Sequence, residues 1–403
     1  MSVFDVLEER GYIEQLTHRD EIKELLNKDN IPFYIGIDPT ADSIHVGHFV
    51  SLMVASLMQK AGHTPIILLG GGTAMIGDPS MKTDMRKMLT REELDENVKK
   101  IKKQVEKFVS FEGDNAAIIV NNADWLLDLK YLQFLRDIGV HFSVNKMLAA
   151  DCYKNRLETG LTFFEMGYML MQSYDFLYLH DKYGCKLEIG GNDQWSNIIG
   201  GVELIRKIGA EDSYGLTFKL LTTKEGKKMG KTEKGALWLD AEKTSPYEFY
   251  QYWRNVGDDD VKNVMMMLTF LPIDEINKLT EFKDERMNEA KKILAYEVTK
   301  LVHGEEAAKG AKEAAEAMFG NGGNIDDMPT TKVEIDMSIV DAIVEAKIVD
   351  SKGQAKKLIE QGAISLNDNK ISDIQYHLSN EDFEKNGYAI LKKGKKNYHK
   401  LEI

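Results

Sequence analysis

Two short basic segments set the chemistry open to this chain. His45-Val46-Gly47-His48 opens a stretch with helical periodicity, and Lys228-Met229-Gly230-Lys231-Thr232 follows much later. A helix start offers free amides and partial positive charge to an anion. Gly47 lets a phosphate ligand approach the backbone without a Cβ in the way. The imidazoles of His45 and His48 can donate to phosphate oxygens, and Thr40 adds a hydroxyl nearby. Lys228, Lys231 and Thr232 sit on a basic loop that Gly230 allows to fold over a departing anion. Lys82 and Arg86 follow Asp78-Pro79 and can serve the same charge. Each segment alone has a plainer reading. H-x-x-H can be two helix-start histidines with structural hydrogen bonds, and the Lys-rich loop can be a solvated hairpin tip. A metal pair lacks a third ligand at suitable spacing.

A second constellation is polar but not basic. Tyr168, Gln172 and Asp175 are spaced four and three apart, so a helix places them on one face. Their surroundings are apolar and aromatic (Phe163, Phe164, Met169, Met171, Phe176), which suits either a satisfied buried network or the wall of a polar ligand pocket. Ile189-Gly190-Gly191-Asn192-Asp193-Gln194-Trp195 reads as a strand end, or simply as a turn.

The elements that must hold these groups alternate in type. Short apolar strands are expected at Ile31–Ile37, Thr64–Leu69, Ala116–Val120 and Lys186–Ile189, with helical patterns between them. That alternation predicts an α/β fold with a doubly wound parallel, Rossmann-like sheet covered on both faces. Ligands are then expected beyond the carboxyl ends of the strands. The expected division is a catalytic domain over 1–222, the lysine loop and an all-helical domain over 223–320, a linker over 321–336, and a small α+β domain over 337–403. In that last domain, Ile339–Ala346 suits a helix, and Ser351 to Gln354 reads as a capping box. The second helix ends at Gln361 before a Gly362 stop. A hairpin follows at Ala363–Leu366 and Lys370-Ile371.

Composition narrows the class. Hydrophobic content of 43% and charged content of 29% over 403 residues suit a soluble protein of two or three domains. The net charge of −13 argues against nucleic-acid binding by the whole surface. The charge is unevenly spread. Residues 338–403 hold 11 Lys against 10 Asp and Glu, a net of +1, which leaves −14 for the rest. Lys352, Lys356 and Lys357 fall on the second helix of the tail, and Lys392, Lys393, Lys395, Lys396 and Lys400 cluster near its end. They form either a solvated charged end or a phosphate-facing patch. The two cysteines, Cys152 and Cys185, make no C-x-x-C, so no structural zinc is expected and a reducing, cytoplasmic location is preferred. No signal-like start and no membrane-spanning apolar run are found.

Taken together, YIGIDPTADSIHVGH (34–48), GDPS (77–80), YMLMQSYDF (168–176), GGNDQW (190–195) and KMGKT (228–232) make the chain resemble, from end to end, the bacterial tyrosyl-tRNA synthetases. These are class I aminoacyl-tRNA synthetases with a C-terminal S4-like RNA-binding domain. The resemblance implies ATP as a substrate with Mg²⁺, L-tyrosine and tRNA(Tyr) as partners, and a homodimer. By resemblance, Tyr34 and Asp175 hold the substrate phenol, and Asp78, Tyr168 and Gln172 hold its amino group. Gln194 lies near its carboxylate. Gly36, Asp38, Gly47, Gly191, Asp193 and Lys231 line the ATP site, with Asp193 on the ribose. Thr40, His45, His48, Lys82, Arg86, Lys228, Lys231 and Thr232 serve the phosphates. Two departures are visible: Ile35 stands where many bacterial members have Cys, and Glu188 where Gln is frequent. Competing readings are an adenylyltransferase of the same nucleotide-binding superfamily, a tryptophanyl enzyme, and a non-catalytic RNA-binding descendant.

Overall fold

A computed structural model describes residues 2–28, 30–80, 89–209, 212–232, 235–284, 286–317, 329–367, 369–383, 387–394 and 397–403. The chain divides into two compact units, Met1–Glu305 and Glu306–Ile403.

The first unit is built on a six-stranded sheet. Its strands are β1 (Ile13–Leu16), β2 (Pro32–Ile37), β3 (Thr64–Leu69), β4 (Ile118–Asn121), β5 (Leu187–Gly191) and β6 (Tyr214–Phe218). Their order is β1-β6-β5-β2-β3-β4, and only β1 is antiparallel to its neighbour. The α/β parallel-sheet expectation therefore holds. All six residues of β3 are buried, as a strand covered on both faces requires. The chain leaves β2 toward β3 on one side, while β5 lies on the other. The crevice between β2 and β5 is thus the switch point where such sheets bind ligands.

Several boundaries differ from the sequence reading. The third strand starts at Ile118 rather than Ala116, and the fourth runs on through Gly190 and Gly191. Strands β1 and β6 were not anticipated. β1 is a half-exposed edge strand with Glu14 and Gln15 at its centre, so it lacks an apolar run.

Two long helices cover the sheet behind the crevice. Helix Phe163–Tyr183 begins with a capping box between Thr162 and Glu165 and stops at Gly184 in the left-handed region. Helix Trp195–Ile208 stops at Gly209 in the same manner. Between these helices and the sheet, Tyr34, Ile66, Leu68, Phe176, Leu179 and Leu204 form one buried cluster. Each such side chain contributes roughly 1.5–3 kcal/mol by leaving water.

From Pro246 to His303 the same unit is helical, as expected, with helices Pro246–Arg254, Val261–Leu268, Ile273–Leu279 and Met287–His303. The chain start is stitched to them. The buried Arg10 guanidinium donates to the carbonyls of Met266 and Thr269, both at 2.9 Å, and the Tyr12 hydroxyl donates to Met267 O. The last helix, Glu305–Ala317, spans the division between the units. Residues 318–328, which include half of the expected linker, lie outside the described residues.

The second unit carries a five-stranded sheet in the order β11-β10-β12-β13-β9. Its strands are β9 (Thr330–Lys332), β10 (Ile364–Leu366), β11 (Asn369–Lys370), β12 (Tyr388–Lys393) and β13 (Asn397–Glu402). Helices Ile339–Glu345 and Lys352–Glu360 pack Ile339, Ile343, Ala355 and Ile359 against Ile364, Leu391 and Leu401. The hairpin and the Gly362 stop, at φ 64°, match the sequence reading. The capping box is only half formed. Ser351 Oγ accepts from the Gln354 amide, but Gln354 Oε1 takes the N–H of Asp350, one residue earlier than expected. Lys400 is a second correction. It is 6% exposed and paired with Glu402 at 2.6 Å within strand β13, so it does not belong to a surface patch.

Candidate active site

The crevice opens into a cavity of about 360 Å³ at the carboxyl ends of β2 and β5. It gathers Tyr34, Gly36, Asp38, Thr40, His45, Gly47, His48, Asp78, Tyr168, Gln172, Asp175, Gly191, Asp193, Gln194 and Lys228. These come from segments far apart in the chain. Lys82 and Arg86 lie outside the described residues, as do the side chains of Lys231 and Thr232.

The histidine turn is built by its own backbone. His45 caps helix Val46–Lys60, and its Nδ1 accepts the Gly47 N–H at 2.9 Å. With Nδ1 accepting, a neutral His45 ring carries its proton on Nε2 and can donate it onward. A Cβ on Gly47 would sit 2.6 Å from the His45 ring. Glycine is therefore needed for the ring to fold back, beyond any approach by a ligand. The His45 and His48 rings lie 4.3 Å apart, centroid to centroid. Just upstream, the Ile44 amide is held by the Gln104 side chain at 2.9 Å, from helix Arg91–Val105.

The lysine loop rests against this turn. Val46 N donates to Leu237 O at 3.0 Å, and Leu237 N donates to Gly230 O at 2.7 Å. Gly230 has φ +82°, and a Cβ there would strike Val46 at 2.8 Å. The two segments singled out by their chemistry are thus in direct contact. The two-residue strands β7 (Lys231–Thr232) and β8 (Gly235–Ala236) pair just beyond it.

The Gly230 amide donates to the Tyr252 hydroxyl at 2.7 Å, a link from helix Pro246–Arg254 that the sequence reading missed. Tyr252→Phe removes this acceptor and keeps the ring. Hydrogen exchange at the Gly230 amide is expected to speed up about tenfold, the size of one net hydrogen bond. Unchanged protection would mean that the hydroxyl is not what holds the loop.

The inner wall is buried and polar. Asp175, 1% exposed, accepts from Asn122 Nδ2 at 2.9 Å and Trp125 Nε1 at 2.8 Å. Burial pushes its carboxyl up to about 8, against the pull of these two donors. Tyr34 is buried beside it, and burial together with the Glu188, Asp175 and Asp38 carboxyls raises its phenol well above the usual range. The Tyr168 hydroxyl donates to Asp38 at 2.9 Å, which also accepts from Thr73. Gln194 donates to Asp78 at 2.7 Å, and Gln172 donates to Glu188 at 2.9 Å. Helix Phe163–Tyr183 therefore aims Tyr168, Gln172 and Asp175 into one site. Asn122 and Trp125 were not singled out from sequence. Their signal was position: they directly follow the end of β4, where this fold places ligand groups.

The arrangement offers a buried polar slot for a phenol-sized group, next to a histidine turn and basic loop suited to phosphates. Among the described residues, no group of three or more His, Cys, Asp or Glu is placed to hold a metal ion, and no helix is long and apolar enough to cross a membrane.

Residues 26–320 match the family described as tRNA synthetases class I (W and Y), and residues 322–401 match the tyrosine–tRNA ligase SYY-like C-terminal domain. The chain is 58% identical over 405 residues to tyrosine–tRNA ligase 1 of Clostridium acetobutylicum, covering 100% of this chain and 99% of that protein. This chain belongs to the class I tyrosyl-tRNA synthetases. The synthetase is also 59% identical over 407 residues to the tyrosine–tRNA ligase of Acetivibrio thermocellus, across 100% of this chain and 99% of that one. Its fold matches a C-terminally truncated mitochondrial tyrosyl-tRNA synthetase of Aspergillus nidulans, with a TM-score of 0.71 and 31% identity. That match covers 79% of this chain and 94% of the other. The synthetase uses ATP to activate tyrosine and joins it to tRNA. The tryptophanyl, adenylyltransferase and non-catalytic readings fall away.

Proposed function

We propose a division of labour among the cavity residues. Tyr34 and Asp175 bind the substrate phenol, while Asp78, Tyr168 and Gln172 bind its ammonium. Gln194 adjoins the carboxylate. Gly36, Asp38, Gly47, Gly191 and Asp193 line the nucleoside part of ATP. A carboxylate oxygen of tyrosine attacks the α-phosphorus, the bond to the bridging oxygen breaks, and pyrophosphate leaves. The nucleophile is already charged, so the protein's work is positioning and stabilising phosphate charge. Thr40, His45, His48, Lys82, Arg86, Lys228, Lys231 and Thr232 do the latter. A ribose hydroxyl of the tRNA end then attacks the acyl carbon and releases AMP. Mg²⁺ accompanies ATP through its phosphates.

The contact of Gly230 with Val46 carries this reading, since it brings the two phosphate-binding segments to one cavity with the phenol slot. Tyrosine-dependent exchange of pyrophosphate into ATP tests it. Exchange that ignores tyrosine, or is absent, would overturn the assignment.

The same reading divides the chain into a catalytic domain (1–222), a loop and helical domain (223–320), a linker (321–336) and an RNA-binding domain (337–403), although β9 (Thr330–Lys332) and the buried Val333, inside the linker bounds, belong to the sheet and core of the second unit. Lys356 and Lys357 are exposed on helix Lys352–Glu360, where Lys352 pairs with Asp341 at 2.5 Å. Lys392 and Lys393 lie on β12, and Lys395 and Lys396 lie outside the described residues. These lysines bind tRNA phosphates. Replacing Lys356 and Lys357 together by alanine is expected to weaken tRNA binding roughly tenfold and lower the slope against log salt by about 2. Pyrophosphate exchange should not change. A salt titration with an unaltered slope would place the contacts elsewhere.

A homodimer is also proposed. Tyr131, Leu132, Val140, Val144, Leu157, Phe163 and Phe164 are exposed, Leu132 by 78% and Phe163 by 74%, and all come from one stretch of chain. An apolar concentration of this kind suits a self-complementary twofold contact. A cytoplasmic location is supported by the free thiols of Cys152 and Cys185.

A further inference from the structure

Glu188 lies on the floor of the cavity, on β5 beside Tyr34 of β2. It is 2% exposed, and Gln172 above it is 8% exposed. The Gln172 side-chain nitrogen donates to Glu188 Oε1 at 2.9 Å. Two oxygens are left over: Gln172 Oε1 and Glu188 Oε2 are both buried and have no hydrogen-bond partner. Buried acceptors without donors are costly, and they mark where a donor is missing.

We propose that Glu188 is the positioning residue for the substrate ammonium: it fixes the Gln172 amide with oxygen toward the cavity, and it gives up its own proton when the ammonium arrives. The orientation is fixed in the ionised group that the bound ammonium favours: a carboxylate accepts only, so it holds the amide nitrogen and leaves Gln172 Oε1 turned the other way, as an acceptor. A neutral amide at position 188 could pair with Gln172 in either sense and would leave half of the pairings with NH₂ facing a cation.

Charge follows the same geometry. Among the described residues, the titratable groups that act on Glu188 are Tyr34 from β2, Asp175 from helix Phe163–Tyr183 and Cys185 from the turn before β5, and none of these is a cation. Burial, then the neighbouring Asp175, pushes the Glu188 carboxyl up to about 8, against the Gln172 hydrogen bond. The carboxyl is therefore mostly protonated in the empty site at neutral pH. A bound ammonium favours the ionised form, so the proton passes to solvent on binding. Because binding prefers the deprotonated group, tyrosine affinity rises with pH through about 8.

This inference rests on the assignment of Gln172 to the ammonium, and the test separates the two. Calorimetric binding of L-tyrosine to the full chain at pH 7.5, in two buffers of different ionisation heat, counts protons. The expected release is roughly half a proton or more per site. The deaminated analogue, 3-(4-hydroxyphenyl)propionate, should release clearly less, because it keeps the phenol against Asp175 but lacks the ammonium. Equal release with both ligands would assign all of it to Asp175 at the phenol and overturn the proposal. Release with neither would overturn it too. Failure of tyrosine to bind at all would instead strike the proposed function. In E188Q the release with tyrosine should fall to that of the analogue, and the pH dependence of tyrosine affinity should weaken accordingly. At pH 8.5, KM for tyrosine should rise roughly tenfold while KM for ATP stays put. Equal increases in both KM values would indicate a merely structural role. Should E188Q not fold, the proton count on the natural chain still decides.

Discussion

Replacing His48 by alanine is expected to slow tyrosyl-adenylate formation by roughly 10²–10³-fold, as the loss of one charge-stabilising donor does elsewhere. Tyrosine affinity should stay within about twofold, because the proposed assignment gives the histidine turn to the phosphates and the phenol to Tyr34 and Asp175. His48 is a cleaner probe than His45. The His45 ring also caps helix Val46–Lys60 through Gly47, so His45→Ala confounds chemistry with a cap loss of about 1 kcal/mol. His45→Asn restores a capping oxygen without the imidazole donor and isolates the chemical part. Rapid-mixing measurements of adenylate formation, paired with equilibrium tyrosine titration, read the two effects separately. A rate within about twofold of the natural enzyme would remove His48 from phosphate chemistry.

Asp175→Asn is expected to reduce kcat/KM for tyrosine by about 10³-fold or more, since a site built around a hydroxyl loses most when its polar partner is wrong. The geometry explains why even this isosteric change is severe. Both Asp175 oxygens accept from donors, Asn122 Nδ2 and Trp125 Nε1. An amide would turn its own NH₂ against one of them. A melting curve must accompany the kinetics, because that clash also weakens the core. Tyr34→Phe is the gentler companion: it should narrow the preference for tyrosine over phenylalanine by roughly tenfold, the value of one hydrogen bond. Tyrosyl enzymes are themselves the standard case of such discrimination, at about 10⁵, so the full size of the preference is taken from the family. An unaltered tyrosine-to-phenylalanine ratio in Tyr34→Phe would assign discrimination to other residues.

The residues that could be read in advance share a property: their signal is local. β2 and β3 are apolar runs closed by Asp38-Pro39 and by Gly70, and helix spacing alone puts Tyr168, Gln172 and Asp175 on one face. The groups that escaped depend on distant partners. Asn122 and Trp125 gain meaning only when β4 comes to lie two strands from β2 and Asp175 reaches them. Tyr252 looks like one aromatic among several in a helix until its hydroxyl meets the Gly230 amide. Lys400 reads as part of a basic run, yet strand alternation and Glu402 take it out of solvent. The half-formed cap at Ser351 shows a finer limit. Gln354 could bond either of two adjacent amides, and backbone torsions choose between them.

The closing of the sheet has a consequence for how the chain is made. β1 leaves the ribosome well before its partner β6, which comes some 200 residues later, roughly 10–40 s at ordinary rates of synthesis. Arg10 and Tyr12 wait longer still for the carbonyls of Met266 to Thr269. During that interval the nascent segment has no docking place and β6's edge of the sheet does not yet exist. The polar centre of β1, Glu14 and Gln15, which hid the strand from a sequence reading, is also what keeps an unpaired strand soluble while it waits.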